Sequence, residues 1–377
     1  MDLLIGEIAR NVDLGLINSY EINITRLKYN EKLNFSIKKD SFKKFKRKGL
    51  TENLINIENS KEFLMLYDHF INGQSWKEAK NYLYFINFLK DKKQIFNCNN
   101  LTNFLNLLNS LDNLYYKLQR NPDLKIVNDS IKVGITNTGL FIIIQGIFLA
   151  SIAQILKINV VPIQILIRNR KWLNFRKKIL RYQASRFNIY QPLIHPDLKS
   201  INTNYSESRF DLIKENMSIN SGTLLDIGAN LGFFCHKFED LGFNCYAVEV
   251  SSKNAYFMKK LRWIENKRFK IINESIFDYY KKRKKNDFDV VLALNIFHHF
   301  IKTHFLHKEL IIFLKNLKMK EMFFQAHDPS VKHMKNAYIN YKPQQFVKFI
   351  LKYSCLDNYD MIVEKIDGKN RPLYRLY

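Results

Sequence analysis

The spacing of hydrophobic positions changes along the chain. Over residues 60–120, apolar side chains recur every three or four positions in "SKEFLMLYDHFI", "WKEAKNYLYFINFLKD" and "LTNFLNLLNSLDNLYYKLQR". That period predicts amphipathic helices. "SIKVGITNTGLFIIIQG" then takes on strand character, with "TNTG" as a hairpin turn. The densest apolar run, "LFIIIQGIFLASIAQIL" at 140–156, approaches the length of a membrane-spanning helix but carries Gln145, Ser151 and Gln154. It divides into a strand, a turn at "QG" and a helix, and "VVPIQILI" follows as a second strand. A β-turn-α-β unit is expected here, with no membrane span. A basic helix, "RNRKWLNFRKKILRYQ", closes this half, and a domain boundary is expected near residue 185.

From residue 210 the pattern alternates. Near-continuous apolar strands "TLLDIG", "NCYAVEV", "FKIINESI", "FDVVLALN" and "EMFFQAH" are separated by amphipathic helices. A parallel sheet covered on both faces produces this pattern. The end, "MIVEKIDGKNRPLYRLY", reads as a hairpin turning at "DGKN", which adds an antiparallel pair at an edge. The expected class is α/β: a doubly wound, mostly parallel, seven-stranded Rossmann-like sheet preceded by a smaller α+β domain. The expected division is a polar, basic segment at 1–55, the α+β domain at 56–185, a linker and lead-in helix at 186–219, and the α/β domain at 220–377.

Composition adds less. Apolar residues make up 46% of the 377 positions, enough for a sizeable core. The formal charge is +25, with a pI near 9.7. A nucleic-acid, lipid or acidic partner would account for it. So would the joint abundance of Asn, Lys, Ile, Phe and Tyr that an AT-rich genome supplies. The most basic run, "KKDSFKKFKRK" at 38–48, interleaves Phe42 and Phe45 with lysines as a nucleic-acid platform does; an ordinary solvated amphipathic segment has the same composition. Four cysteines, Cys98, Cys235, Cys245 and Cys355, include no CxxC pair and read as reduced thiols in a cytosolic chain without structural zinc. "MDLLIGEIAR" lacks the basic start of a secretory signal.

The chemistry begins at "LLDIGANLGFF", residues 224–234. A strand runs into Gly228 and Gly232 and restarts as a helix, the place where open α/β sheets hold ligands. A dinucleotide fingerprint would need glycine at 230 and a small residue at 233. This chain has Asn230 and Phe233, and no GK[ST] of a P-loop follows. Asp226, ahead of the first glycine, would repel a pyrophosphate and suit a cationic ligand. Glu249 ends the second strand, where a carboxylate can accept both hydroxyls of a ribose. Glycines for close approach, an acid near a cation and an acid for a ribose together describe S-adenosylmethionine.

On these residues, 220–377 resembles a class I S-adenosylmethionine-dependent methyltransferase. "LLDIGANLGFF" is similar to the first motif of that family, "YAVEV" to its second and "FDVVLALNIFHHF" to its fourth. The resemblance implies a cofactor site of Asp226, Gly228, Asn230, Gly232, Glu249, Ser275 and Asn295. Ser275 stands where the family usually carries an Asp beside the adenine. His298, His299 and His327 are the candidate catalytic residues, since a hydroxyl acceptor needs a base for its proton. Two adjacent histidines in a regular element cannot both face a pocket, so at most one of His298 and His299 is expected to serve. No HxxxH or carboxylate spacing supports a metal among the three. His327 and Asp328 mark the rim after the fifth strand, and Tyr190 and Gln191 are placed to close over the cofactor.

The fourth motif lacks the [ND]PP[YF] of enzymes that methylate nucleic-acid amines. A hydroxyl or carbon centre on a small molecule or glycan is therefore the favoured acceptor. The rivals are an RNA or DNA methyltransferase and a non-catalytic S-adenosylmethionine-binding protein. The front half resembles a ParB-like domain through "SIKVGITNTGLFIIIQGIFLASIAQILKINVVPIQILIRNRKW". Gly146 is kept, but Ile147, Phe148 and Leu149 stand where that family has arginines and a histidine. Apolar residues neither neutralise phosphate nor move protons, so only a degenerate recognition or packing module is implied.

Overall fold

The computed structural model describes residues 19–28, 54–91, 94–124, 130–184, 189–283 and 287–377. The basic run at 38–48 lies outside them. The chain divides into two compact units, 1–178 and 179–377.

The first unit includes helices α1 (Lys61–Phe70), α2 (Tyr82–Lys90) and α3 (Leu101–Arg120). Ser60 caps α1 by accepting from Phe63 N at 3.1 Å, which satisfies one of the free N–H groups of the first turn. Helix α2 starts later than the apolar spacing suggests, because residues 76–81 form turns. Asp68 holds them in place by accepting from Lys80 N at 3.0 Å. The sheet of this unit comprises β1 (Ser19–Asn23), β2 (Leu27–Lys28), β3 (Ile131–Ile135), β4 (Phe141–Gln145) and β5 (Val160–Arg168). Its order is β1-β5-β3-β4-β2. Strands β3 and β4 form the expected antiparallel hairpin.

The 140–156 run is a strand, a turn and a helix. Gly146, at φ 89°, starts helix α4 (Ile147–Ile155). Residues 147–153 are all buried, so α4 is apolar on every side because it is a core helix. No helix among the described residues is long and apolar enough to cross a membrane. Helix α5 (Arg170–Ala184) follows β5.

The second unit is the expected α/β layer structure. After α6 (Ser208–Asn216) come β6 (Gly222–Ile227), α7 (Phe233–Asp240), β7 (Phe243–Val248), α8 (Ser252–Ile264) and β8 (Lys270–Ile272). Then follow α9 (Ile276–Lys281), β9 (Asp287–Leu294), α10 (His304–Asn316), β10 (Lys318–Gln325), α11 (Pro343–Tyr353), β11 (Tyr359–Val363) and β12 (Leu373–Leu376). The order across the sheet is β8-β7-β6-β9-β10-β12-β11. Strands β6 to β10 run parallel, and β12 is antiparallel to both neighbours. The closing strands thus form the expected hairpin, with β12 inserted between β10 and the edge strand β11. Their loop turns through Asp367 and Gly368, both at positive φ (50° and 72°), as a tight hairpin turn requires.

Alternation along each strand feeds two cores. Leu225 and Ile227 pack on one face with Val291, Phe313 and Phe346. Leu224 packs on the other with Phe210, Phe234 and Met258. The order reverses between β6 and β9, and that reversal opens a crevice at the carboxyl ends of the strands.

Candidate functional site

A cleft of about 530 Å³ lies at this crevice. Its wall includes Gly228 and Asn230 after β6, Glu249 after β7, Ser275 at the start of α9, and Asn295, His298 and His299 after β9.

The loop after β6 is fastened to the end of β7. Gly228 N and Ala229 N both donate to Val248 O, at 2.9 and 3.0 Å. Gly228 sits at φ 75°, and a Cβ there would lie 2.8 Å from Ile296 Cδ1. The first glycine is therefore needed both for its backbone conformation and for the fourth-motif side chain packed on it. Glu249, 6% exposed, draws the loops together. Its Oε2 accepts from Asn230 N and its Oε1 from Ser251 N, both at 2.8 Å. The two amides fix the carboxylate at the cleft wall, where a carboxylate can accept ligand hydroxyls. Asn273 Nδ2 donates to Glu249 O at 2.8 Å and fixes the strand end. Ser275 caps α9, accepting from Phe277 N at 3.2 Å, and faces the cleft from there.

Asn295 is held by side chains under the cleft. Its Nδ2 donates to Tyr205 Oη (3.0 Å) and to Gln325 Oε1 (2.8 Å). Gln325 Oε1 also accepts from Arg209 Nη1 at 3.0 Å, and Arg371 Nη1 donates to Tyr205 Oη at 3.0 Å. The Tyr205 hydroxyl, pushed up to about 12 chiefly by burial, stays protonated. Asn230 and Asn295 both adopt positive φ, 53° and 56°, an uncommon backbone that clusters at functional sites.

Four buried polar atoms on this wall have no protein partner: Asn230 Oδ1, Asn295 Oδ1, Tyr190 Oη and His298 Nδ1. Buried polar groups are normally hydrogen-bonded, so these acceptors are set for a ligand with donors. An amino-acid ammonium and ribose hydroxyls beside Glu249 meet that description, and S-adenosylmethionine carries both.

Several expected site residues lie elsewhere. Asp226 is not on the cleft wall. Side chains alternate along a strand, so Ile227 faces the cleft while Asp226 turns under the loop. There it is 2% exposed, with Oδ2 unpartnered. Burial pushes its carboxyl up to about 7, the Arg209 guanidinium opposes the shift, and Glu249 adds to it. Gly232 is also off the wall. It starts α7 at φ 83°, and a Cβ there would lie 2.8 Å from Met258 Cγ, so it serves helix–sheet packing. His327 sits behind the wall. Asn340 Nδ2 donates to Pro329 O, which turns Asn340 Oδ1 toward His327 Nε2 at 2.9 Å. Gln191 is buried, with Oε1 unpartnered, whereas Tyr190 lines the cleft.

The expectation that only one of the adjacent histidines faces the pocket is corrected. His298 and His299 both line the cleft, with ring centroids 4.0 Å apart. The segment is a short 3₁₀ turn, Phe297–His299, at the end of a strand, so the rule for a regular helix or strand does not apply to it. His298 also lies 5.5 Å from both His327 and His333, centroid to centroid. Burial, then the neighbouring histidines and Lys302, push His298 down to about 2. Burial and Lys302 push His299 down to about 4. No group of three or more His, Cys, Asp or Glu among the described residues is arranged to hold a metal.

Five further polar residues of the wall carry no signal that marks them in the sequence as site residues: Tyr182, Asn204, Lys302, His333 and Arg371. Lys302 follows the fourth motif directly. Arg371 comes from the β11–β12 loop and His333 from the segment after β10, where no motif marked them.

The family model described as "Methyltransferase domain" matches residues 225–316. No curated protein matches the chain in sequence. Among solved structures, the chain is similar to monomeric WbdD, a bifunctional kinase-methyltransferase (19% identity, 52% of this chain and 48% of that one, TM-score 0.43). It is also similar to a putative O-methyltransferase from Nostoc punctiforme (15%, 45% and 55%, 0.35). A third is the magnesium protoporphyrin IX methyltransferase of Synechocystis with bound S-adenosylmethionine (10%, 45% and 76%, 0.34). The chain spans about half the length of WbdD. The second unit therefore contains, over residues 225–316, the segment that matches a methyltransferase domain.

Proposed function

We propose that the enzyme moves the methyl group of S-adenosylmethionine to an oxygen or carbon of a small-molecule or sugar-containing acceptor. One observation carries the reading. Glu249 clasps the Asn230 and Ser251 amides at the cleft mouth, which places its carboxylate beside the unpartnered Asn230 and Asn295 acceptors. In this reading Glu249 takes the ribose. Gly228, Asn230 and Asn295 surround the amino-acid end, and Ser275 borders the adenine. Asp226 and Gly232 support the loop from behind. The catalytic candidates are His298 and His299 on the wall, with His327 positioning them. Residues 220–377 form the catalytic domain, and the lead-in at 186–219 contributes Tyr190 and Asn204 to its wall.

Residues 56–185 act as a packing or recognition module without chemistry. Ile147, Phe148 and Leu149 are buried where a ParB-like domain would present charge. Four free thiols agree with a cytosolic location. A non-catalytic binder is disfavoured by the intact cleft. Methylation of RNA or DNA has one observation behind it: Arg170, Lys171, Lys177, Lys178 and Arg181 on α5 are exposed, and the helix has no carboxylate. The deciding experiment traces isotopic methyl from labelled S-adenosylmethionine through metabolite, glycan and nucleic-acid pools, with and without the gene. Label concentrated in RNA or DNA would overturn the small-acceptor reading.

A further inference from the structure

The cleft has two electrostatic ends. At the ribose end, Glu249 and Glu274 are both engaged: Glu249 with two backbone amides, Glu274 with Lys282. At the other end the wall carries Lys302, His333 and Arg371 beside the histidine pair. Neither Lys302 nor Arg371 has a carboxylate partner among the described residues. Asp328 is the nearby acid; it is off the wall, and Ser330 N and Oγ occupy its Oδ1 at 2.9 and 2.7 Å.

We propose that the methyl-accepting atom is an oxyanion of the acceptor, a carboxylate or a phosphate monoester, held by Lys302, His333 and Arg371 against His298 and His299. The proposal rests on the methyltransferase reading above and narrows its acceptor. A neutral hydroxyl must lose a proton as the new bond forms, and the cleft is poorly furnished to take one. Any imidazolium formed here would stand next to Lys302. That neighbourhood holds His298, His299 and His333 below the ordinary imidazole range, burial being the first cause for each. Of these causes, the fixed charges of Lys302 and Arg371 are the ones that favour an anion, since burial disfavours a charge of either sign.

An oxyanion needs no base. A lone pair of the acceptor oxygen forms the O–CH₃ bond as the S–CH₃ bond breaks, and that bonding pair stays on sulfur. The sulfonium charge and the oxyanion charge cancel, giving a methyl ester and a neutral thioether, and no proton is released. The neutral histidines then act as an uncharged wall that shapes the approach.

Two measurements on the full chain test this. The first titrates inorganic phosphate, and separately acetate, into protein saturated with S-adenosylhomocysteine. Lys302→Gln should weaken the better-bound probe at least tenfold while S-adenosylhomocysteine affinity stays within twofold. Equal probe affinity in wild type and Lys302→Gln would overturn the proposal. Loss of S-adenosylhomocysteine binding by the wild-type chain would instead strike the underlying methyltransferase reading.

The second incubates the protein with methyl-labelled S-adenosylmethionine and a metabolite extract split on an anion-exchange column. Label should enter only the retained fraction. Mild alkali should then release it as volatile methanol from a carboxyl ester. A phosphate ester would instead keep it and show methyl protons coupled to phosphorus. Label in an alkali-stable ether, amine or carbon product without phosphorus coupling would overturn the proposal.

Discussion

Asp226 gives the sharpest quantitative prediction outside the cleft. Its carboxyl is buried beneath the first-motif loop, Oδ2 has no partner, and burial raises it from its ordinary 3.8 to about 7. The native state therefore keeps this proton to higher pH than the unfolded chain does. With the folded value above the unfolded one, unfolding releases a proton between pH 4 and pH 7. The group lowers stability progressively across that window. The displacement is roughly three pH units, on the order of 4 kcal/mol at 1.36 kcal/mol each. Asp226→Asn keeps the shape and removes the titration. The variant should match the wild type near pH 4 and exceed it increasingly up to pH 8, by a few kcal/mol. Urea unfolding at several pH values, with hydrogen exchange of the β6 peptide reporting on the second unit, reads the difference. A pH-independent gap between the two proteins would refute the reasoning, because it would mean that Asp226 is ionised throughout.

Gly228→Ala should cost about 1–2 kcal/mol for a side chain at positive φ and drive Ile296 toward the cleft, so thermal midpoint and S-adenosylmethionine affinity should both fall. Because His298 and His299 are held near 2 and 4, kcat/KM should show no acid limb from either between pH 5.5 and 8; an inflection near 6.5 lost in His298→Gln would contradict this. Generic RNA should bind weakly and release near physiological salt. A nucleic-acid enzyme neutralising six to ten phosphates would lose roughly 10³–10⁵ in affinity between 50 and 200 mM salt.

Much of this was legible in the chain because local chemistry carried it. The alternation from residue 210, the "DGKN" turn and the glycine loop each follow from backbone demands on a few neighbouring residues. The same holds for the split of residues 140–156, where Gly146 and the polar Gln145 interrupt an apolar run. What escaped depended on the third dimension. Asp226 and Ile227 are adjacent, but strand alternation sends one under the loop and the other to the cleft. Gly232 looked like a ligand glycine and is one for packing, since Met258 is what its Cβ would strike. The histidine pair was judged by the geometry of a regular element, and a 3₁₀ turn presents both. Arg371 and His333 reach the cleft from chain segments far from any motif, through the placement of β12 and the loop after β10.

The central claim is that the clasp at Glu249 holds the ribose of S-adenosylmethionine. Calorimetric titration of S-adenosylmethionine into the wild-type chain and Glu249→Ala tests it most directly. Loss of charge-assisted hydrogen bonds predicts a weakening of about 1.5–3 kcal/mol, roughly ten- to 150-fold, in a variant that keeps wild-type secondary structure. Unchanged affinity in Glu249→Ala would contradict the account.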